Sequence, residues 1–194
     1  MSIVQIFSYL LVTYLIAAIP FGLVFAKFLK KEDLRTTGSK NIGATNALRT
    51  GGKVLGGLTL LADIAKGFLF VFFAPKYIMP EIVAIVAVIG HIFSLWIGFK
   101  GGKGVATALG ALLGVYPIAA FCSLIVWVIS IKFTKISSLS ALLAFLTLPL
   151  FGYIFYSHFT FFLVMSVVIF LTHIPNIKRL IQGEEKTILN KEPS

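Results

Sequence analysis

Apolar positions in this chain come in long unbroken runs, with neither the alternation of a half-buried strand nor the narrow stripe of a surface helix. The runs cover Ile3–Phe28 and residues 54–73, 82–99, 104–131, 138–155 and 159–174, separated by short polar clusters. A helix needs about 20 apolar residues to cross a ~30 Å hydrocarbon core, and helices satisfy their own backbone groups there. The pattern predicts an all-α integral membrane protein. No basic residue precedes the first run, so it reads as a retained helix rather than a cleaved secretory signal. Residues 104–131 are interrupted by Gly114-Val115-Tyr116-Pro117, and proline disrupts a helix interior. Two arms of roughly 13–15 residues result, each about 20 Å long, which calls for local thinning of the bilayer or partial insertion. The expectation is a bundle of about seven transmembrane helices, some short. A five-helix version with a re-entrant 104–131 hairpin keeps the same sidedness of every loop.

Composition sharpens this picture. Of 194 residues, 58% are hydrophobic and 12% charged, against roughly 25% charged in soluble domains. A single membrane-embedded domain, 1–194, is expected. The net charge of +10 is unevenly placed. Lys27, Lys30, Lys31, Arg35, Lys40, Arg49 and Lys53 fill the first connection, Lys100 and Lys103 the second, Lys132 and Lys135 the third. Lys178, Arg179, Lys186 and Lys191 follow the last run, while 74–81, 115–117 and 156–158 are nearly bare of Lys and Arg. Basic residues collect on the cytoplasmic side, which places the N-terminus outside and the C-terminus in the cytoplasm. The charge therefore reports topology first and contact with anionic lipid or substrate second, and no nucleic-acid partner is expected. Cys122 is the one cysteine, so no intramolecular disulfide can form.

The cytoplasmic clusters also hold the uncharged polar residues. "DLRTTGSKNIGATNALRTGG" (33–52) is rich in turn and cap residues, but a plain connector does not need two Asn and two Arg interleaved. Its candidates are Ser39, Asn41, Gly43, Thr45, Asn46 and Arg49. In "GHIFSLWIGFKGGKGVATALG", His91 and Ser94 are spaced to share a helical face two to three turns from the cytoplasmic end, and an intramembrane histidine is a functional candidate. Gly101, Gly102 and Gly104, with Lys103 between them, suit an anion-binding concavity at the start of the next helix. This is not a nucleotide-binding loop: the spacing is one residue short, and Gly104 stands where Ser or Thr would be needed. Ser138 in the third cluster and His173, Asn176, Arg179 and Glu185 in the fourth complete the candidates. Asp63 and Lys66, three apart, read as a structural ion pair. Small residues in "GGKVLGG" and "GVATALGALLG" allow close helix approach in lipid. No grouping has metal-ligand spacing and no nucleophile elbow is present, so neither metal nor cofactor is expected. The available chemistry is that of donors holding phosphate.

Three stretches together resemble the acyl-phosphate-dependent glycerol-3-phosphate acyltransferases of bacterial inner membranes. They are "GSKNIGATNALR" (38–49), "GHIFSLWIGFKGGKGVAT" (90–107) and "HIPNIKRLIQGEE" (173–185), with "ADIAKG" (62–67) as a weaker companion. Two departures are Lys40, where the pattern has Gly, and Pro175, which bends the third motif. The resemblance implies a helical bundle that transfers a fatty acyl group from acyl phosphate to the 1-hydroxyl of glycerol 3-phosphate. Lysophosphatidic acid and phosphate would be the products. It implies a monomer in the bacterial inner membrane, its site at the cytoplasmic face, with the bilayer as partner and no need for CoA or acyl carrier protein. Arg49, Lys103 and Arg179 would hold phosphates. Ser39, Asn41, Asn46, Ser138 and Asn176 would complete the hydrogen bonds, and the N–H groups of Gly101, Gly102 and Gly104 would stabilise an oxyanion or the departing phosphate. His91, His173, Lys103 and Asn176 are the catalytic candidates, with a substrate phosphate oxygen as the favoured proton acceptor over either histidine. A small-anion or phosphate transporter is the rival reading. It predicts polar sites at the midplane and access from both sides.

Overall fold

The computed structural model describes residues 2–188, and among these every regular element is helical. They form two compact units that divide at Val115–Tyr116, the break that proline predicts.

The first unit holds α1 (Ile3–Ala17), α2 (Phe21–Phe28), α3 (Ala44–Phe72), α4 (Pro80–Ile92), a 3-10 turn (Leu95–Ile97) and α5 (Val105–Val115). The expected single first helix is corrected: it breaks before Pro20, and α2 leaves α1 at 42°. Carbonyls freed by such a break must find donors in an apolar setting. Trp96 Nε1 donates to the Leu15 carbonyl at 2.9 Å, Ser94 Oγ to Ala18 at 2.5 Å and Lys66 Nζ to Ile19 at 3.0 Å. The shared helical face of His91 and Ser94 is corrected by the same observation. Helix α4 stops at Ile92, so His91 lies in its last turn and Ser94 beyond it, turned to the broken α1–α2 segment. Helix α3 begins ten residues earlier than the apolar run (residue 44 rather than 54), because its polar first part, 44–51, is helical too. Gly52, at φ +84°, lets the two parts fold onto each other, and a Cβ on Gly56 would run into Leu48.

Helices α3 and α5 pack backbone to backbone. A Cβ on Gly67 would collide with the Thr107 carbonyl, and one on Gly110 with the Ile64 carbonyl. Small residues permit this approach in lipid, where dispersion rather than water expulsion drives association. Leu34, Ala26, Ala47 and Leu55 form a core under the first loop.

The second unit holds α6 (Pro117–Thr134), α7 (Ser137–Tyr156), α8 (Phe159–Thr172) and α9 (Ile174–Ile181). Gly152 of α7 receives the Phe162 ring of α8, and Ser166 Oγ donates to the Phe145 carbonyl at 2.6 Å. Pro175 stands in the first turn of α9, where a missing N–H costs nothing, and α9 turns 63° from α8. The bend expected from Pro175 is present. Phe121, Ile125, Ile129 and Phe133 leave one side of α6 exposed and apolar, as a lipid-facing surface requires.

Among the described residues four stretches are long and apolar enough to cross a bilayer: α3, Pro80–Ile97, α6 and α7. The bent pairs α1–α2 and α8–α9 bring this to six, and α5 is a shorter apolar helix of 11 residues.

Candidate active site

The first loop is built around Asn46. This side chain, 2% exposed, sits in the opening turn of α3 beneath residues 34–41. Its amide nitrogen donates to the carbonyls of Leu34 (3.0 Å), Thr37 (3.1 Å) and Asn41 (2.9 Å), and its oxygen accepts the Ser39 N–H at 2.8 Å. The amide's two hydrogens are shared among three carbonyls and its oxygen takes one N–H, so Asn46 serves as the loop's internal strut. Asn41 Oδ1 accepts the Gly43 N–H at 2.9 Å, a local turn. Gly38 and Lys40 have φ of +61° and +58°, and a Cβ on Gly38 would strike Asn46 Oδ1. Glycine tolerates such angles without strain, so Lys40 holds a conformation that glycine would adopt more readily. Ser39 is exposed, while Asn41, Gly43, Thr45 and Arg49 are half-buried. Arg35 is tied to Asp33 (Nη2–Oδ2 2.6 Å).

The second cluster lies deeper. Lys66 Nζ is 2.8 Å from Asp63 Oδ1, and His91 Nδ1 is 3.5 Å from the same oxygen. All three residues are at most 5% exposed. The glycine turn folds over the end of α4: Gly101 N–H donates to the Ile92 carbonyl at 2.9 Å and Gly102 N–H to the His91 carbonyl at 3.1 Å. The expected use of these two N–H groups as oxyanion donors is therefore corrected, because they close the helix terminus. Their lack of side chains matters instead. A Cβ on Gly102 would meet His91 Nε2, and one on Gly101 the His91 carbonyl. Gly104, at φ +85°, leads into α5, whose first N–H groups have no intrahelical partner. Half-buried Lys103 sits between Gly102 and Gly104.

In the second unit Glu185 gathers three of the candidates. Ser138 Oγ donates to its Oε1 at 2.7 Å, Asn176 Nδ2 to the same oxygen at 2.6 Å, and Arg179 Nε to Oε2 at 2.6 Å. The Glu185 side chain is 8% exposed. Burial pushes its pKa up, but the hydrogen bonds from Ser138, Asn176 and Arg179 and the Arg179 charge outweigh burial and hold the carboxyl below its ordinary value. Asn176 Oδ1 is buried and has no hydrogen-bond partner among the described residues. His173, 2% exposed, points Nδ1 at the Ile169 carbonyl at 2.8 Å. A carbonyl only accepts, so Nδ1 is the donor in this contact.

Each unit thus assembles its own candidates: Ser39, Asn41, Gly43 and Asn46 in one loop, His91 with Gly101 and Gly102 under another, and Ser138, Asn176, Arg179 and Glu185 around one carboxylate. Ser94 stands apart on the α1–α2 break. Sequence reasoning left Asp63 and Lys66 as a simple pair. The signal was available, since ionisable residues inside an apolar run are functional candidates by default.

Apolar helices of bilayer length, carrying polar loops knitted by asparagine, glycine and charged side chains, define a helical integral membrane protein. Most of its length has counterparts. A family model described as glycerol-3-phosphate acyltransferase matches residues 7–183, and the chain belongs to that family. It is 44% identical over 191 residues to a glycerol-3-phosphate acyltransferase of Bartonella quintana (strain Toulouse), covering 93% of this chain and 90% of the relative. It is 44% identical over 178 residues to one of Pelagibacter ubique (strain HTCC1062), covering 89% and 92%. Its fold matches a crystal structure of PlsY (YgiH), an integral membrane glycerol 3-phosphate acyltransferase, in the glycerol 3-phosphate form, with TM-score 0.87, 35% identity and coverage of 93% and 94%. The lysophosphatidic acid form of the same enzyme matches with TM-score 0.85 at 32% identity.

Proposed function

We propose that this chain acylates the 1-hydroxyl of glycerol 3-phosphate with acyl phosphate as donor, giving lysophosphatidic acid and inorganic phosphate. The observation that carries the reading is the likeness along 93% of the chain to an acyltransferase in its glycerol 3-phosphate form. The side chains suit the chemistry. Both reactants and the leaving group bear phosphate, and Arg49, Lys103 and Arg179 supply the cations. Ser39, Asn41, Thr45 and Gly104 add donors, whereas the Gly43 N–H and the Ser138 hydroxyl, spent on Asn41 and Glu185, shape the loops that carry them. Asn176 Oδ1, buried and unpartnered, accepts the substrate hydroxyl hydrogen and orients its oxygen toward the acyl carbon. As the new C–O ester bond forms, the carbonyl–O–phosphate bond breaks and phosphate leaves with the bonding pair. The hydroxyl proton passes to a substrate phosphate oxygen, while His173 orients the acceptor.

The same reading places the protein in a bacterial inner membrane, its chemistry at the cytoplasmic face. It crosses seven times as one membrane domain if each bent pair counts once and α5 also crosses, N-terminus outside and C-terminus inside. It acts as a monomer without CoA or acyl carrier protein. The test uses purified protein with radiolabelled glycerol 3-phosphate and either acyl phosphate or acyl-CoA. Labelled lysophosphatidic acid from acyl phosphate alone is expected. Product from acyl-CoA alone overturns the donor assignment, and no product with either overturns the function.

A further inference from the structure

We infer that Asp63 and Lys66 are positioning residues for this reaction, acting through His91 to hold the glycine turn that presents Lys103. The contacts form a continuous chain within the first unit. Lys66 Nζ is anchored at 3.0 Å to the Ile19 carbonyl on the α1–α2 break and at 2.8 Å to Asp63 Oδ1. That oxygen is 3.5 Å from His91 Nδ1. The far side of the ring, Nε2, lies against Gly102, where even a methyl group would not fit. The backbone of the same histidine and of Ile92 accepts the N–H groups of Gly102 and Gly101, at 3.1 and 2.9 Å. His91 therefore holds the turn by both its ring and its carbonyl, and Lys103 follows immediately.

Replacing two buried opposite charges together by apolar groups of similar shape is often neutral for stability, whereas removing one leaves the other stranded. Lys66 already has a structural task at Ile19. Among the described residues Asp63 pairs with Lys66 and approaches His91, so what it adds beyond the Lys66 pair is a charge 3.5 Å from the ring on the side opposite Gly102. A ring free to turn would release the steric stop under Gly102 and let Lys103 wander from the phosphate it holds, which weakens ground-state and transition-state binding alike and so raises KM.

This inference rests on the proposed acyl transfer, so wild-type turnover of glycerol 3-phosphate is measured first; without it the functional reading fails and the inference falls with it. With turnover established, Asp63→Asn/Lys66→Met, His91→Asn and the triple variant are compared by thermal midpoint, kcat and KM for glycerol 3-phosphate. The double variant is expected to fold with a lowered midpoint, because the Ile19 carbonyl loses its donor, with KM raised about tenfold or more and kcat little changed. The triple variant is expected to be no worse than His91→Asn, because Asp63 acts only through the ring. A wild-type KM in the folded double variant, or defects that multiply in the triple, overturns the inference. Should the neutralised pair not fold, Asp63→Glu keeps the charges matched while moving the carboxylate. The same rise in KM supports the inference, and an unchanged KM overturns it.

Discussion

Lys40 sits at φ +58°, a conformation that costs an L side chain roughly 1–2 kcal/mol. The loop enforces it, because Asn46 collects the Leu34, Thr37 and Asn41 carbonyls from one side. Lys40→Gly relieves this strain while loosening the unfolded chain, so a net gain of about 0.5–1 kcal/mol is expected. A higher thermal midpoint of the purified protein would show it, and a lower one would contradict the account. The resemblance to the acyltransferase family marks Lys40 as a departure from pattern, yet the angle that makes glycine the better choice emerges only from the backbone. Asn46 is similar: its residue type is legible as loop chemistry, but its inward direction is not.

At the scale of elements, the closest association is α3 with α5, made possible by Gly67 and Gly110. Gly110→Val would drive its side chain into the Ile64 carbonyl. A loss of at least about 3 kcal/mol is expected, read as collapse of the folded yield or thermal midpoint. Gly57→Ala is the control, since nothing lies within 4 Å of a Cβ there. It is expected to be neutral, or stabilising by up to about 1 kcal/mol through helix propensity. Small-residue spacing announced that helices would approach closely, but partners could not be assigned, because one glycine face fits any other. The break before Pro20 was equally hidden inside an apolar run, and its repair by Lys66, Ser94 and Trp96 depends on residues 47 to 81 positions away.

For the whole molecule, two predictions concern charge. Glu185 titrates below the ordinary glutamate value of 4.5 in the folded protein. A depressed carboxylate stabilises the fold above its unfolded pKa, and that contribution is lost as pH falls through the lower folded value. Glu185→Gln should destabilise the fold at neutral pH by about 1–3 kcal/mol for the charged hydrogen bonds removed, read as a lower thermal midpoint. The difference from wild type should shrink as pH falls below about 4.5; a pH-independent difference would refute this origin. The second prediction tests sidedness. With Cys122 replaced by Ser, a single cysteine at exposed position 76 should react with an impermeant maleimide on spheroplasts. One at exposed position 40 should react only after lysis. The opposite pattern would invert the topology inferred from the basic loops.

Helical class, membrane residence and the loops that carry donors followed from the sequence alone, because run length, charge placement and local residue chemistry are properties of neighbours along the chain. Family membership followed too, from three motifs read in order. Only the tertiary structure decided which donors remain available: Asn46 is taken up by its own loop, Gly101 and Gly102 by the end of α4, and Ser138, Asn176 and Arg179 by Glu185. A hydrogen bond has direction and a partner, and for buried groups that partner comes from distant parts of the chain as often as from the next turn. The same holds for Asp63 and Lys66, whose meaning changed once His91 was found beside them.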